Sequence, residues 1–343
     1  MKKQRLWVLL VGLTVVIGAA WWFVKSRGND SVSAVLKEQA VTLVRLSGPL
    51  TKKKAEVSGL AWFGDNLIFL PQYPNFVKDS GDGFLYYLPK AEILAYLDGT
   101  SQVELEPRPI PLTASRIGQI VPNYQGFESI GFSDTQIFLT IEAGKGTDMQ
   151  GYLISGYINP DLSSIHLDTT KLTPIQPQAA SENHTDESML VFDNQIVTFY
   201  EVNGEGIVAE PVAHVFDFAL NPLETISMTN IEYRLTDTAL STNNEFWGIN
   251  YFFSGDTELS TTLDSIVDAY GMGKTQSESD HIERLVKFNF SKQGITLADS
   301  PPIPFVLTED ARNWEGLAIL DDRGFLVITD THPDTLFGFI PLP

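Results

Sequence analysis

Cysteine is absent from this sequence. That excludes a disulfide scaffold, a thiolate metal site and a cysteine nucleophile. Positive charge is scarce: 23 Lys and Arg stand against 43 Asp and Glu, a formal net charge of −20. From Ser31 onward the formal balance is about −24. A surface of that sign argues against nucleic acid and against docking on anionic lipid. No phosphate-binding Gly-rich loop, Gly-x-Ser-x-Gly elbow or zinc-protease helix occurs in the chain.

Long apolar runs are also missing, with one exception. Residues 6–24 carry no charge and follow Lys2, Lys3 and Arg5. At 1.5 Å per residue such a run just crosses a bilayer core of about 30 Å. Trp21, Trp22 and Phe23 fall where an interfacial aromatic belt would lie. The segment is read as a transmembrane anchor that leaves the rest of the chain extracytoplasmic. The alternative is a cleaved signal peptide, with Gly18-Ala19-Ala20 as its small-residue site and a secreted product. Residues 1–30 are thus anchor and linker, and 31–343 form the folded domain.

What the domain does contain is a repeat. Ser58-Gly59-Leu60-Ala61, Glu128-Ser129-Ile130-Gly131, Glu187-Ser188-Met189-Leu190, Asp237-Thr238-Ala239-Leu240 and Glu315-Gly316-Leu317-Ala318 each open an apolar run. A polar turn follows each, then a second β-rich run, so the copies read as five hairpins. The copies are spaced by 50 to 78 residues, which suits four-stranded units with loop insertions. Further strands are expected at 83–88, 93–97, 102–112, 151–158, 165–172, 211–220, 231–235, 283–290, 304–307 and 335–340. The last unit lacks an outer strand, and residues 41–46 can supply it. The fold class is therefore all-β: a β-propeller of five blades, with six as the alternative, its ring closed by an N-terminal strand. A helical insertion is expected at about 254–281, where Leu263, Ile266, Val267 and Tyr270 recur at helical spacing. It reads equally as a partial lid over the mouth or as a decoration on a blade flank.

Fourteen residues after the first position of each copy stand Gln72, Glu142, Glu201 and Tyr251, with Asn250 one earlier. In the last copy Asp330 stands at fifteen. A simple hairpin places these beside the opening residues, roughly 5 Å away. Each repeat would then bring two polar, mostly acidic, positions to one end, and like charges directly opposite destabilise. Glu128, Glu187, Asp237 and Glu315, with Ser58 completing the circle, would ring a central channel. Two carboxylates about 6 Å apart repel by roughly 3 kcal/mol at an effective dielectric near 20. Either some are protonated or a cation sits among them. Hard oxygen ligands favour Ca²⁺. A purely structural role, accepting backbone N–H groups of neighbouring blades, is the alternative for these acids. Gln72, Glu142, Glu201, Asn250, Asp330 and Ser58 form the rim. His184 and His332 are the candidate general bases, although an ordinary loop histidine is the plainer reading of each. Arg312, Arg234 and Lys145 are cations that could meet an anionic substrate.

The Glu-Gly-Leu-Ala opening at Glu315, the Ser-Gly-Leu-Ala opening at Ser58 and the closing Thr329-Asp330 resemble the phytase-like, "esterase-like activity of phytase" family. More distantly they resemble gluconolactonase- and paraoxonase-type calcium propellers. The resemblance implies a central Ca²⁺ held by Glu315 and, more loosely, by Glu128 and Glu187. It also implies hydrolysis of phosphoesters or lactones. It departs in that those relatives usually have six blades and Ser58 stands in place of an acid. The alternative function is a non-catalytic propeller that binds a small molecule or a protein on its funnel face.

Overall fold

The computed structural model describes residues 35–77, 81–261 and 263–343. The apolar run at 6–24 lies outside the described residues. Among the described residues no helix is long and apolar enough to cross a membrane.

All five hairpins form, as Val57–Phe63 with Asn66–Pro71, Tyr124–Ser133 with Gln136–Lys145, Asp186–Phe192 with Gln195–Tyr200, Arg234–Thr242 with Glu245–Phe252, and Trp314–Leu320 with Gly324–Thr329. Each is extended outward. Phe84–Pro89 and Arg108–Thr113 follow the first hairpin, and Asp148–Ile158 and Ile165–Ile175 follow the second. A two-residue parallel pairing, Ile165 to Leu112 and His166 to Thr113, joins these into one eight-stranded sheet. Val212–Asp217 and Ile226–Ser227 complete the third, and Ile282–Ser291 and Gly294–Leu297 the fourth. The fifth takes Phe337–Pro341 and then the N-terminal strand Thr42–Val44, which pairs antiparallel with it.

Alternation along the strands explains how these sheets stack. Leu67 and Phe69 point into a core shared with Ala318, Leu326 and Ile328 of the fifth hairpin. Ile68 and Leu70 point the other way, against Ile130, Ile137 and Leu139 of the second. Further cores lie between second and third (Leu153, Met189, Ile196), third and fourth (Val197, Phe199, Phe246, Phe288), and fourth and fifth (Ile249, Leu285, Leu317, Phe325). The opening strands touch one another in cyclic order, and the fifth returns to the first. Sheets buried on both faces and packed in a closed cycle are the architecture of a β-propeller.

Three expected strands are corrected. Residues 93–97 lie in a helix, Lys90–Leu97; Ala, Glu and Leu fill it and favour helix over strand. Residues 231–235 are not an outer strand but run into the opening strand Arg234–Thr242, and Ile226–Ser227 takes the outer place. The short Ile303–Pro304 sits beside Ile282–Ser291, while Gly294–Leu297 holds the fourth sheet's outer edge.

The region 254–281 holds the short helices Thr257–Leu259, Ser265–Tyr270 and Lys274–Ser277. Asp264 caps the middle one by accepting the N–H groups of Ile266 and Val267 at 3.0 and 3.2 Å. Ile266 packs with Leu235, Phe246 and Val286 between the third and fourth sheets. This helix therefore lies on the flank.

Opening strands approach closely at Gly316. A Cβ there would stand 2.7 Å from Ile328 Cγ2 and 2.8 Å from Leu60 Cγ. Gly316→Ala is expected to cost about 1–3 kcal/mol by overpacking. Gly206→Ala, where nothing lies within 4 Å, should stay within about 0.5 kcal/mol. Urea unfolding followed by tryptophan fluorescence measures both.

Candidate functional site

The repeat's first position is a β-bulge in all five hairpins. Val57 pairs with Pro71 and Gly59 with Leu70, so Ser58 is an extra residue. Glu187 and Glu315 are extra in the same way, between Asp186 and Ser188 and between Trp314 and Gly316. In the other two hairpins Glu128 and Ser129 share one partner position, as do Thr236 and Asp237. A bulge re-aims its side chain and sharpens the local twist.

The bulge also corrects the expected pairing. Positions zero and fourteen are not direct cross-strand neighbours. Glu142 stands opposite Gly126, and Asn250 opposite Leu235. The Gln72, Glu201 and Asp330 N–H groups donate to the carbonyls of Glu56, Thr185 and Asn313. The turn registers, Ser133 to Gln136, Phe192 to Gln195 and Leu320 to Gly324, already set these like charges one residue out of opposition, and the bulge offsets them further.

At the mouth of the ring lies a cavity of about 900 Å³. Ser58, Gln72, Glu128, Glu142, Glu187, Glu315, Asp330 and His332 line it, as the sequence placed them. Tyr251, at position fourteen of its copy, lines it too, and Glu56, Asp310, Tyr73 and Phe253 join them without having been foreseen. Glu56 has a readable signal, because it immediately precedes the first repeat. Among the described residues Arg234 is the only Lys or Arg in the lining.

Asp237, Asn250, His184, Glu201 and Arg312 are placed outside the lining. Asp237 is buried, and its carboxylate accepts the N–H of Leu317 at 2.7 Å, of Thr238 at 2.8 Å and of Leu60. It ties the fourth hairpin to the fifth and first, which is the structural role rather than the ligand role. Asn250 is fully buried, donating to the carbonyls of Glu232 and Arg234 and accepting from Arg284 Nε at 2.8 Å. His184 is 2% exposed, with Nδ1 2.6 Å from Ser181 Oγ and Nε2 3.7 Å from Glu201. A base so enclosed has no path to a substrate in the cavity. Among the cations, Arg312 is locked on Glu283 at 2.9 Å.

Glu201 lies behind the lining and pairs with Arg234, whose Nε and Nη2 also hold Asp256 at 2.7 and 3.0 Å. Burial works against the Arg234 charge, but these two carboxylates outweigh it and raise its pKa. Asp330 accepts the N–H groups of Thr331 and His332, while three other lining carboxyls have one side-chain donor each. Gln72 donates to Glu128 at 3.0 Å, Thr185 to Glu142 at 3.2 Å, and Asn313 to Glu315 at 2.6 Å. Glu187 is 7% exposed and has no hydrogen bond or ion pair. Burial, then the Glu201 and Glu315 charges, push its carboxyl well above the usual range. Burial and Glu142 do the same to Glu128, and burial and Asp330 to Glu315. Glu142 is raised to about 7, by burial and then by Glu201, with Thr185 and Arg234 opposing.

A Ca²⁺ would need several of these oxygens at 2.3–2.6 Å. Among the described residues no three His, Asp or Glu side chains come together as a metal-holding group. Asp237 is spent on backbone N–H groups, and the remaining acids are distributed around the cavity wall, where burial and mutual repulsion favour their neutral forms.

No protein-family model matches the chain, and no curated protein matches it. Among solved structures it is similar to an exo-β-1,3-galactanase from Phanerochaete chrysosporium, at 8% identity and a TM-score of 0.49, over 90% of this chain and 65% of that one. It is also similar to a putative exo-β-1,3-galactanase from Bifidobacterium bifidum (12% identity, TM-score 0.46, 89% and 93% covered). A third is the soluble aldose sugar dehydrogenase of Escherichia coli (11%, 0.41, 88% and 99%). Likenesses this remote say nothing of activity or substrate, and the phytase-like resemblance rests on its short motifs alone.

Two stability tests follow from the wiring. Asp237→Asn should cost about 1–3 kcal/mol, because a buried acceptor of several N–H groups is impaired, whereas Glu187→Gln should be neutral or stabilising. Glu142 faces Glu201, Glu128, Glu187, Thr185 and Arg234. Its folded pKa of about 7 exceeds the ordinary value of 4.5, so its contribution is full below pH 4.5 and lost as pH rises through 7. Over that window its contribution is on the order of 3 kcal/mol. In chelator-containing buffer the melting temperature should fall from pH 5 to pH 8, and less so in Glu142→Gln.

Proposed function

We propose that this chain is a five-bladed, membrane-tethered, extracytoplasmic propeller that binds and hydrolyses a hydroxyl-rich, non-anionic small molecule in its funnel. Glu187 carries the reading: a buried carboxyl with no partner, on the wall of a cavity of ligand size. Facing the cavity, this carboxyl is open to a hydrogen bond from a ligand that donates one. Five hairpins supply the blades, and Thr42–Val44 closes the last of them. The tether is the apolar run at 6–24.

The chemistry is general acid–base hydrolysis. Neutral carboxyls such as Glu142 can donate a proton to a leaving oxygen. The more accessible Asp330, held by the His332 N–H at 2.8 Å, can receive one from water. Bonds open to this pair are those of lactones and glycosides. A phosphoester fits poorly, because it would face seven acidic side chains and one arginine already occupied by Glu201 and Asp256. His332 lines the cavity, but no base–nucleophile pair is aligned with it. That observation favours a second reading, a non-catalytic receptor for the same class of ligand.

Turnover of a panel of glycosides, lactones and phosphoesters by residues 31–343, with Ca²⁺ and with chelator, tests this. Turnover of a glycoside or lactone in chelator, reduced at least 100-fold in Glu142→Gln or Asp330→Asn, is the expected result. Activity confined to phosphoesters with Ca²⁺ would overturn it. Binding without turnover would select the receptor.

A further inference from the structure

Across the whole molecule, the buried polar clusters away from the funnel are mostly closed. Glu283 accepts from Arg312 and from Trp314 Nε1 at 2.7 Å. Asp186 sits between Thr198 and His214. The Arg284 guanidinium meets Asp264 at 2.9 Å and Asn250 at 2.8 Å. The funnel differs in being chemically one-sided. Its acids outnumber its one arginine, whose charge is already matched twice over. Tyr73, Tyr251 and Phe253 stand in the same wall, and the Tyr251 and Phe253 rings stack at 6.3 Å. Aromatic faces beside carboxylates are the environment that stabilises an organic cation.

We infer that the funnel ligand carries a protonated amine, bound against Glu187 between Glu128 and Glu315 with its apolar flank on the Tyr251–Phe253 face. This rests on the proposed function above and narrows its substrate to an amine-bearing, hydroxylated compound such as an amino sugar. Three observations converge. Glu187 is nine-tenths buried and unpartnered, so it lacks a donor. The neighbouring Glu128 and Glu315 each have only one side-chain donor, from Gln72 and Asn313. An ammonium supplies three N–H donors from one centre, and Glu187, Glu128 and Glu315 act on one another across the cavity from different hairpins. A metal ion is the rival positive charge. It demands converging oxygens at short range, which no three acidic side chains among the described residues provide. An ammonium reaches its acceptors at hydrogen-bond distance, about 2.7–2.9 Å, and tolerates a wider ring.

The experiment is calorimetric titration of residues 31–343 in chelator-containing buffer with a glucosamine tetramer, the N-acetylated tetramer and spermidine. Calcium chloride is titrated separately without chelator. The glucosamine tetramer is expected to bind at least tenfold more tightly than its neutral N-acetylated counterpart. Glu187→Gln should remove that preference while thermal unfolding shows the variant folded. Glu142→Gln, on the same wall, serves as a second variant in which the preference should persist in part. Equal or tighter binding of the N-acetylated tetramer would overturn the amine while leaving a hydroxyl-rich ligand in place. Tight binding of Ca²⁺ that Glu187→Gln abolishes, with no amine bound, would overturn it in favour of a metal. Spermidine binding as tightly as the glucosamine tetramer would uphold the amine and count against the hydroxylated scaffold. Binding of none of the four would overturn the inference.

Discussion

A β-strand alternates its side chains between two faces, and here both faces of every opening strand are already committed to packing against neighbouring sheets. No regular position is left over for a residue that must look along the ring. The extra residue of a bulge is outside that alternation, and all five hairpins place one at the same point. Everything at the mouth depends on this. The bulge frees a side chain from the packed interfaces, and does so without opening the sheet.

Crowding then decides the charge state. Burial and mutual repulsion both favour the neutral carboxyl, and the arginine in the wall is shared between Glu201 and Asp256. Arg234 thereby joins two levels of structure. Glu201 ends the third hairpin, Arg234 opens the fourth, and Asp256 lies in the insertion. The insertion is held to the fourth sheet a second time, through Asp264 and Arg284. Its helix is on the flank, and near its start Asp256 reaches Arg234 without itself lining the cavity.

Much of this was legible from the sequence, because the repeat is written in residue types whose spacing a hairpin must respect. The turns, the five hairpins and the acids at one end follow from that spacing. The bulges do not, since an inserted residue leaves the count from zero to fourteen unchanged while shifting every pairing beyond it. The helix Lys90–Leu97 was hidden for a different reason. Ile93, Leu94 and Leu97 satisfy a short strand pattern as well as a helix, and only Ile93 is buried. Glu56 was overlooked because it precedes the repeat, although its carbonyl accepts the Gln72 N–H and its side chain lines the cavity.

Asp237 and Glu187 occupy the same position of the repeat and meet opposite fates. The difference lies in what the next strands offer. The shorter Asp237 side chain is met by the N–H groups of Leu317 and Leu60, and becomes a tie across the ring. Ser58 does likewise at the first interface, where its Oγ donates to the Phe127 carbonyl at 2.6 Å. Glu187 is one methylene longer, and no such donor meets it. A fold stabilised at five sheet interfaces, with side-chain ties at several of them, can hold one carboxyl without a partner. A fold held less firmly would relax until that carboxyl found one. The Glu187 carboxyl is left to the cavity, and the packed ring around it keeps that cavity shaped for a donor from outside the chain.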